Sequence, residues 1–127
     1  MAHGRFSLTI EGEEKLFKLM SELDWNEKRP EALKLAYVKG LTFDSIPPKR
    51  EGKKTKHEVG SGVLAKGEEY MLYKHIMMEK LGEPLDESGF DDYMVRYIEQ
   101  GLDTICEEID SLSDLDNYFL YLVSKHV

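Results

Sequence analysis

The sequence has little of several features that would define a function by themselves. It contains a single cysteine, Cys106, so neither an intrachain disulfide nor a cysteine-based metal cage can form, and a reducing cytoplasm is the expected location. The longest apolar run, Tyr118 to Val123, is too short to cross a membrane. No apolar stretch follows the first five residues, so we expect no secretory signal. Glycine-rich phosphate loops and nucleophile elbows are also absent, which argues against the enzyme classes built on them.

The size and composition predict one globular domain spanning 1–127. Typical domains have about 100–150 residues, and a chain of this size buries roughly two-thirds of its unfolded surface without disulfides or metals. Apolar residues make up 41% of the chain and charged residues 33%, which is ordinary for a globular protein.

The net charge of −8 is unevenly distributed along the chain. Residues 1–66 contain 13 Lys+Arg and 10 Asp+Glu, whereas residues 67–127 contain 4 and 15. The stretch Lys49–His57 alone has five positive charges and one negative charge. Such a split is typical of a protein with two faces that contact different partners. The alternative is a solvated loop whose lysines only keep the protein soluble.

The hydrophobic pattern predicts a mainly α fold, with five helices preceded by a short N-terminal strand. Arg5–Ile10 alternates polar and apolar residues, which indicates a strand. Apolar residues at steps of three and four predict helices over 13–23, 30–41, 67–81, 91–109 and 114–125. The segment 42–62 shows no apolar period and contains several glycines and prolines, so we expect a long connection there.

The order strand, helix, short loop, helix predicts an N-terminal unit like that of ribbon-helix-helix proteins. In that unit the strands of two chains pair antiparallel and lie in the major groove of DNA. No second strand is apparent in this sequence, so we expect the strand to pair with a symmetry mate. Phe6, Leu8 and Ile10 would then mediate oligomerisation, and Arg5, Ser7 and Thr9 on the opposite face would point into the groove. A strand-exchange dimer that binds no nucleic acid is the alternative.

Basic residues at two further places suggest contacts to phosphates. Lys28 and Arg29 come just before Pro30, at the start of the second helix, where free N–H groups and positive charge suit an anion. The 42–62 connection can follow a phosphate backbone, which gives salt-dependent affinity with little sequence information. The connection has no interleaved aromatic residues, which argues against a platform for single strands. The predicted DNA-binding residues are Arg5, Lys28, Arg29, Lys49, Arg50, Lys53, Lys54 and Lys56.

We predict no catalytic residues, no metal site and no cofactor. Asp44 and Glu51-Gly52-Lys53 have the letters of a metal-dependent nuclease, but prolines and glycines surround them where that site needs adjacent strands. His75 and Glu79 lie one helical turn apart, and two candidate ligands do not make a site. Cys106 has no histidine at a recognisable spacing, so we interpret it as an inert core residue.

Three stretches spread along the chain carry one further signal. They are Lys28–Leu41, Lys66–Glu68 and Tyr97–Leu102, the last with the sequence Tyr-Ile-Glu-Gln-Gly-Leu. In this order they resemble the DNA sulfur modification protein family DndE, and the similarity extends from about residue 6 to residue 115 as a scattered pattern. The resemblance implies a small, mostly helical homotetramer that binds duplex or nicked DNA through lysines, without strong sequence preference. It also implies partners that replace a non-bridging phosphate oxygen with sulfur, a step that this family is not known to catalyse.

Three functions therefore stay open at this stage. The first is a DNA-binding accessory subunit of DNA phosphorothioation, with the basic half facing DNA. The second is an oligomeric scaffold that offers its acidic half, around Glu107 and Glu108, to another protein. The third is a ribbon-helix-helix transcriptional regulator, which would require a preferred operator sequence.

Overall fold

A computed structural model describes residues 5–25, 27–42, 46–49, 52–55, 59–60, 67–111 and 122–123. In chain order the elements are β1 (Arg5–Phe6), α1 (Ile10–Glu22), α2 (Arg29–Leu41), β2 (Val59–Gly60), α3 (Glu68–Leu81) and α4 (Glu87–Ser111). The mainly helical fold is confirmed. The predicted fifth helix, 114–125, lies outside the described residues apart from Leu122 and Val123, which are helical.

The ends of the helices follow from local chemistry. The Thr9 side chain accepts a hydrogen bond from the Gly12 N–H at 3.0 Å and so caps the N-terminus of α1. Pro30 lies in the first turn of α2, where its missing N–H has no helical partner to lose. Gly82 ends α3 in the left-handed conformation, with φ of 74°, and its N–H bonds the Met78 carbonyl at 2.8 Å.

The longest helix, α4, has 25 residues and forms the centre of the fold. It begins before the predicted residue 91, because Asp86 accepts the Gly89 N–H through its side chain (2.7 Å) and the Phe90 N–H through its carbonyl (2.9 Å). The buried side chains of α4 recur at helical spacing and include Phe90, Met94, Tyr97, Ile98, Leu102 and Ile105. On one side the rings of Phe90 and Tyr70 of α3 form a T-shaped pair, with ring centroids 5.0 Å apart.

The backbones of α2 and α4 approach each other closely where the two helices cross. A Cβ atom built on Gly101 would lie 1.8 Å from the Ala36 carbonyl oxygen, and one built on Gly40 would lie 2.1 Å from the Tyr97 oxygen. Real Cβ atoms do not approach other atoms so closely, so this crossing requires glycine on both helices. Beside it the buried Tyr37 hydroxyl donates to the Tyr73 carbonyl at 3.2 Å, and burial raises the pKa of Tyr37 well above its ordinary value.

The N-terminal segment has a partner within its own chain. Arg5 and Phe6 pair antiparallel with Gly60 and Val59. Further along, the Ile10 N–H donates to the Lys53 carbonyl at 2.9 Å and the Thr55 N–H donates to the Leu8 carbonyl at 3.0 Å. The expectation that this chain lacks a partner for the segment was therefore wrong. The connection between α2 and α3 supplies it, although that connection has no alternating pattern of its own.

The predicted two faces of this segment are also corrected beyond Leu8. Phe6 and Leu8 are buried in the core as expected, but Ile10 is 44% exposed because α1 begins at that residue. Thr9, predicted to face outward, is 7% exposed because it caps the helix. Oligomerisation through Phe6, Leu8 and Ile10 stays a prediction, and only Ile10 of the three remains on the surface of this chain.

Candidate nucleic-acid interface

The structure places two of the predicted DNA-binding residues together beside the N-terminus of α1. We call Gly52–Thr55 the lysine segment. Lys54 lies opposite Thr9 in an antiparallel bridge, and the Lys53 and Thr55 backbones bond on either side of it. Both lysine side chains are exposed, and the Lys54 Nζ lies 3.5 Å from the Ser7 carbonyl oxygen. An extended backbone attached in this way presents two cations at the surface.

The other predicted residues have different surroundings. Lys49 is exposed, and Arg5 pairs through its backbone in β1. Lys28 is exposed immediately before α2, where no side chain caps the helix. Arg50 and Lys56 lie outside the described residues.

Arg29 differs from its neighbour Lys28 because its charge is used within the chain. Its guanidinium bonds the Glu13 carboxylate at 3.0 Å and lies over the Phe17 ring, 5.6 Å from the centroid. Arg29 thus joins the start of α2 to α1. Of the two predicted cations at this position, Lys28 is the one whose charge stays exposed.

Lysines of the helical body pair with acidic residues of the second half. Lys15 pairs with Asp103 and Lys18 pairs with Asp110, which joins α1 to α4. Two lysines of α2 form similar ion pairs. Lys34 pairs with Glu69 and Lys39 pairs with Glu108, each at 2.8 Å. The hydrogen bond to Asp110 raises the pKa of Lys18, and the one to Glu69 raises the pKa of Lys34. Part of the charge split in the sequence is therefore complementarity between packed helices.

The exposed lysines of the candidate interface lack such partners. Within the described ranges, Lys28, Lys49, Lys53 and Lys54 form no ion pair with an acidic side chain. A cation without a carboxylate partner keeps its full charge for an external anion. These four lysines of the described ranges therefore carry positive charge that no acidic side chain neutralises, and their contact with DNA stays a prediction.

The structure assembles no group of metal-ligating side chains in the residues it describes. Nowhere in those ranges do three His, Cys, Asp or Glu side chains come together as metal ligands would. Asp44 and Glu51 lie outside them, and His75 and Glu79 are both exposed on α3. Among the described helices, none combines the length and the apolar character needed to cross a membrane.

Cys106 is a buried thiol rather than an exposed nucleophile. It is 5% exposed, its Sγ lies 3.6 Å from the Lys15 carbonyl oxygen, and burial raises its pKa. We expect native protein at pH 8 to react with iodoacetamide at least about tenfold more slowly than protein in urea, because thiolate and access are both reduced. Mass spectrometry of timed samples measures this, and equal rates in the two states would contradict the buried position.

Comparison with known proteins gives matches at the level of structure. No protein-family model matches the chain, and no curated protein matches its sequence. A crystal structure of DndE from Escherichia coli B7A, described as involved in DNA phosphorothioation modification, has a TM-score of 0.61 at 14% identity. That match covers 83% of this chain and 99% of DndE. The chain has the DndE fold.

A second DndE structure supports the same conclusion. It is the crystal structure of a mutant with glycines changed to lysine, also described as involved in DNA phosphorothioation, and it matches with a TM-score of 0.59 at 16% identity. It covers 84% of this chain and 99% of its own. The resemblance to DndE inferred from the sequence is therefore confirmed for the fold.

Proposed function

We propose that this chain is a non-catalytic accessory subunit of DNA phosphorothioation that binds duplex or nicked DNA through its exposed lysines. The observation that carries the proposal is the set of exposed lysines without acidic partners, Lys28, Lys49, Lys53 and Lys54, on a chain with the DndE fold. We further propose that it acts in the cytoplasm as a homo-oligomer, a tetramer in the DndE manner, together with other DNA sulfur modification proteins.

Physical chemistry supports low sequence preference. Lysines that contact phosphates release counterions and position a protein on DNA, but they do not distinguish bases. The chain has a net charge of −8, so the rest of its surface repels DNA and favours approach through the lysines. Both effects give binding that depends strongly on salt and weakly on sequence.

Replacing Lys53 and Lys54 by alanine is expected to weaken duplex binding about tenfold at 50 mM salt, because two phosphate contacts are lost. The slope of log K against log salt should fall by about 2 in magnitude. Gel shifts or fluorescence anisotropy at four salt concentrations, with intact and nicked duplex of one sequence, measure both quantities. The backbone bonds of the lysine segment do not involve these side chains, and the Lys54 contact with the Ser7 carbonyl is long at 3.5 Å, so the fold should be retained.

The matched control is Lys18→Ala with Lys34→Ala, which removes the same charge from two lysines that pair with acids. We expect it to change the affinity less than about threefold, since these cations are already neutralised. If both double variants lost the same affinity for the duplex, the loss would come from the change in net charge rather than from the unpaired lysines. A wild-type chain that binds neither duplex at low salt would refute DNA binding.

The two alternative functions receive less support from the structure. A ribbon-helix-helix regulator needs a second chain beside the N-terminal strand, but Leu8–Ile10 already bonds Lys53–Thr55 of its own chain. A scaffold with a free acidic face would use Glu107 and Glu108, and the latter bonds Lys39. A consensus operator recovered by selection would restore the regulator hypothesis.

A further inference from the structure

A buried carboxylate of α4 lies directly under the N-terminus of α1. Glu99 is 3% exposed, and its Oε1 accepts the backbone N–H of Thr9 at 3.3 Å and also the Thr9 hydroxyl. Removing a carboxylate from water is strongly unfavourable unless hydrogen bonds replace the lost hydration. Two of these replacements come from Thr9, a residue 90 positions away in the chain.

Thr9 connects three parts of the molecule. Its hydroxyl donates to Glu99 of α4 and accepts the Gly12 N–H of α1. Its two neighbours in sequence hold the lysine segment, since Leu8 accepts the Thr55 N–H and Ile10 donates to Lys53. The conformation of Thr9 therefore determines where the lysine segment attaches.

Two glycines lie next to the contact between Thr9 and Glu99. A Cβ atom on Gly12 would lie 2.2 Å from the Glu99 Oε1, so any side chain at this position would displace the carboxylate. Gly52, at the start of the lysine segment, lies against the Thr9 methyl group, with 3.5 Å from the position of a Cβ to Cγ2. Glycine at position 12 lets the carboxylate reach Thr9, whereas a Cβ at position 52 would make only an ordinary van der Waals contact with the Thr9 methyl group.

We propose that Glu99, acting through Thr9, is the positioning residue that fixes the lysine segment to the helical body and so holds Lys53 and Lys54 in place for a phosphate backbone. The proposal rests on the proposed function, because it assigns the purpose of the attachment to DNA binding. A backbone that is already fixed loses less conformational entropy when its side chains bind an anion. Release of the segment would leave the charges present but their arrangement unspecified.

The test removes the hydroxyl and keeps the shape of the side chain. In Thr9→Val, we expect the Ile10 and Thr55 amides to exchange hydrogen at least about tenfold faster, beyond any change at Leu102 in the core. Duplex affinity at 50 mM salt should fall about tenfold, whereas the salt slope should stay as in the wild type because no charge is removed. Thr9→Ser keeps a hydroxyl and should restore both readouts, and Gly12→Ala should reproduce the defect by displacing Glu99.

The outcomes separate this inference from the proposed function. The inference is overturned if the Ile10 and Thr55 amides accelerate no more than the Leu102 amide. It is also overturned if they accelerate while affinity stays at the wild-type value. The proposed function fails at an earlier step, when the wild-type chain binds no duplex at low salt, and the positioning role fails with it.

Discussion

Replacing Gly101 by alanine should destabilise the fold by about 3 kcal/mol or more, since overpacking here forces backbone apart rather than a side chain. The added Cβ would meet the Ala36 carbonyl oxygen at 1.8 Å, and the Gly40 nitrogen would lie only 3.0 Å away. Neither atom can rotate out of the way, so α2 and α4 must separate. Their separation would expose the buried side chains on both sides of the crossing.

Alanine at position 101 should change the free energy of unfolding in the opposite direction from alanine at an exposed helical glycine. On an exposed helix the change from glycine to alanine stabilises by about 1 kcal/mol, because glycine loses more backbone entropy on folding. The matched control on α4 is Glu107→Ala, an exposed position where we expect a change within about 0.5 kcal/mol. Urea unfolding followed by circular dichroism measures both. A Gly101→Ala midpoint equal to or above that of Glu107→Ala would show that the helices do not cross as described.

Gly40 shows the limit of local sequence rules. At the end of an apolar stripe a glycine indicates the end of a helix, and α2 does end at Leu41. Its second role, contact with the Tyr97 carbonyl of α4, depends on a residue far along the chain, and no local pattern shows this. The helix was predictable from the sequence, whereas the crossing became visible only in the structure.

The same distinction applies to the candidate interface. Lysines in a stretch with no apolar period were expected on the surface, and Lys53 and Lys54 are exposed. The attachment of their backbone to Leu8–Ile10 was not expected, because a two- or three-residue pairing carries no periodic signal. The buried contact between Thr9 and Glu99 was missed for a related reason, since a single threonine or glutamate gives no sign of its partner.

The distribution of charge is best understood from the sequence and the structure together. The split between the two halves suggested faces for different partners, and the structure shows that part of it joins α1 and α2 to α3 and α4. Once those lysines are assigned to acids of the packed helices, the exposed cations of the lysine segment stand out from them. A count along the chain could not separate the two groups, because it contains no information on which charges meet.

The buried ion pair between Lys39 and Glu108 gives the second large prediction. Lys39 is 4% exposed and its Nζ lies 2.8 and 3.1 Å from the two Glu108 oxygens. Lys39→Met is expected to destabilise by about 3–5 kcal/mol, because it leaves the Glu108 carboxylate in a poorly hydrated site without its cation. Glu108→Leu in the same chain should recover most of this loss, since an apolar pair needs no hydration.

The contrast with an exposed pair on the same helix tests that argument. Lys34 and Glu69 are also 2.8 Å apart, but their side chains are 36% and 42% exposed, so water already hydrates both charges. Lys34→Met should therefore change the free energy of unfolding by less than about 1 kcal/mol, although the substitution and the helix are the same. A double-mutant cycle on each pair measures the difference. If both lysines gave the same loss, burial would not be the cause. If Lys39→Met with Glu108→Leu were no more stable than Lys39→Met alone, the loss would come from the methionine rather than from the unpaired carboxylate.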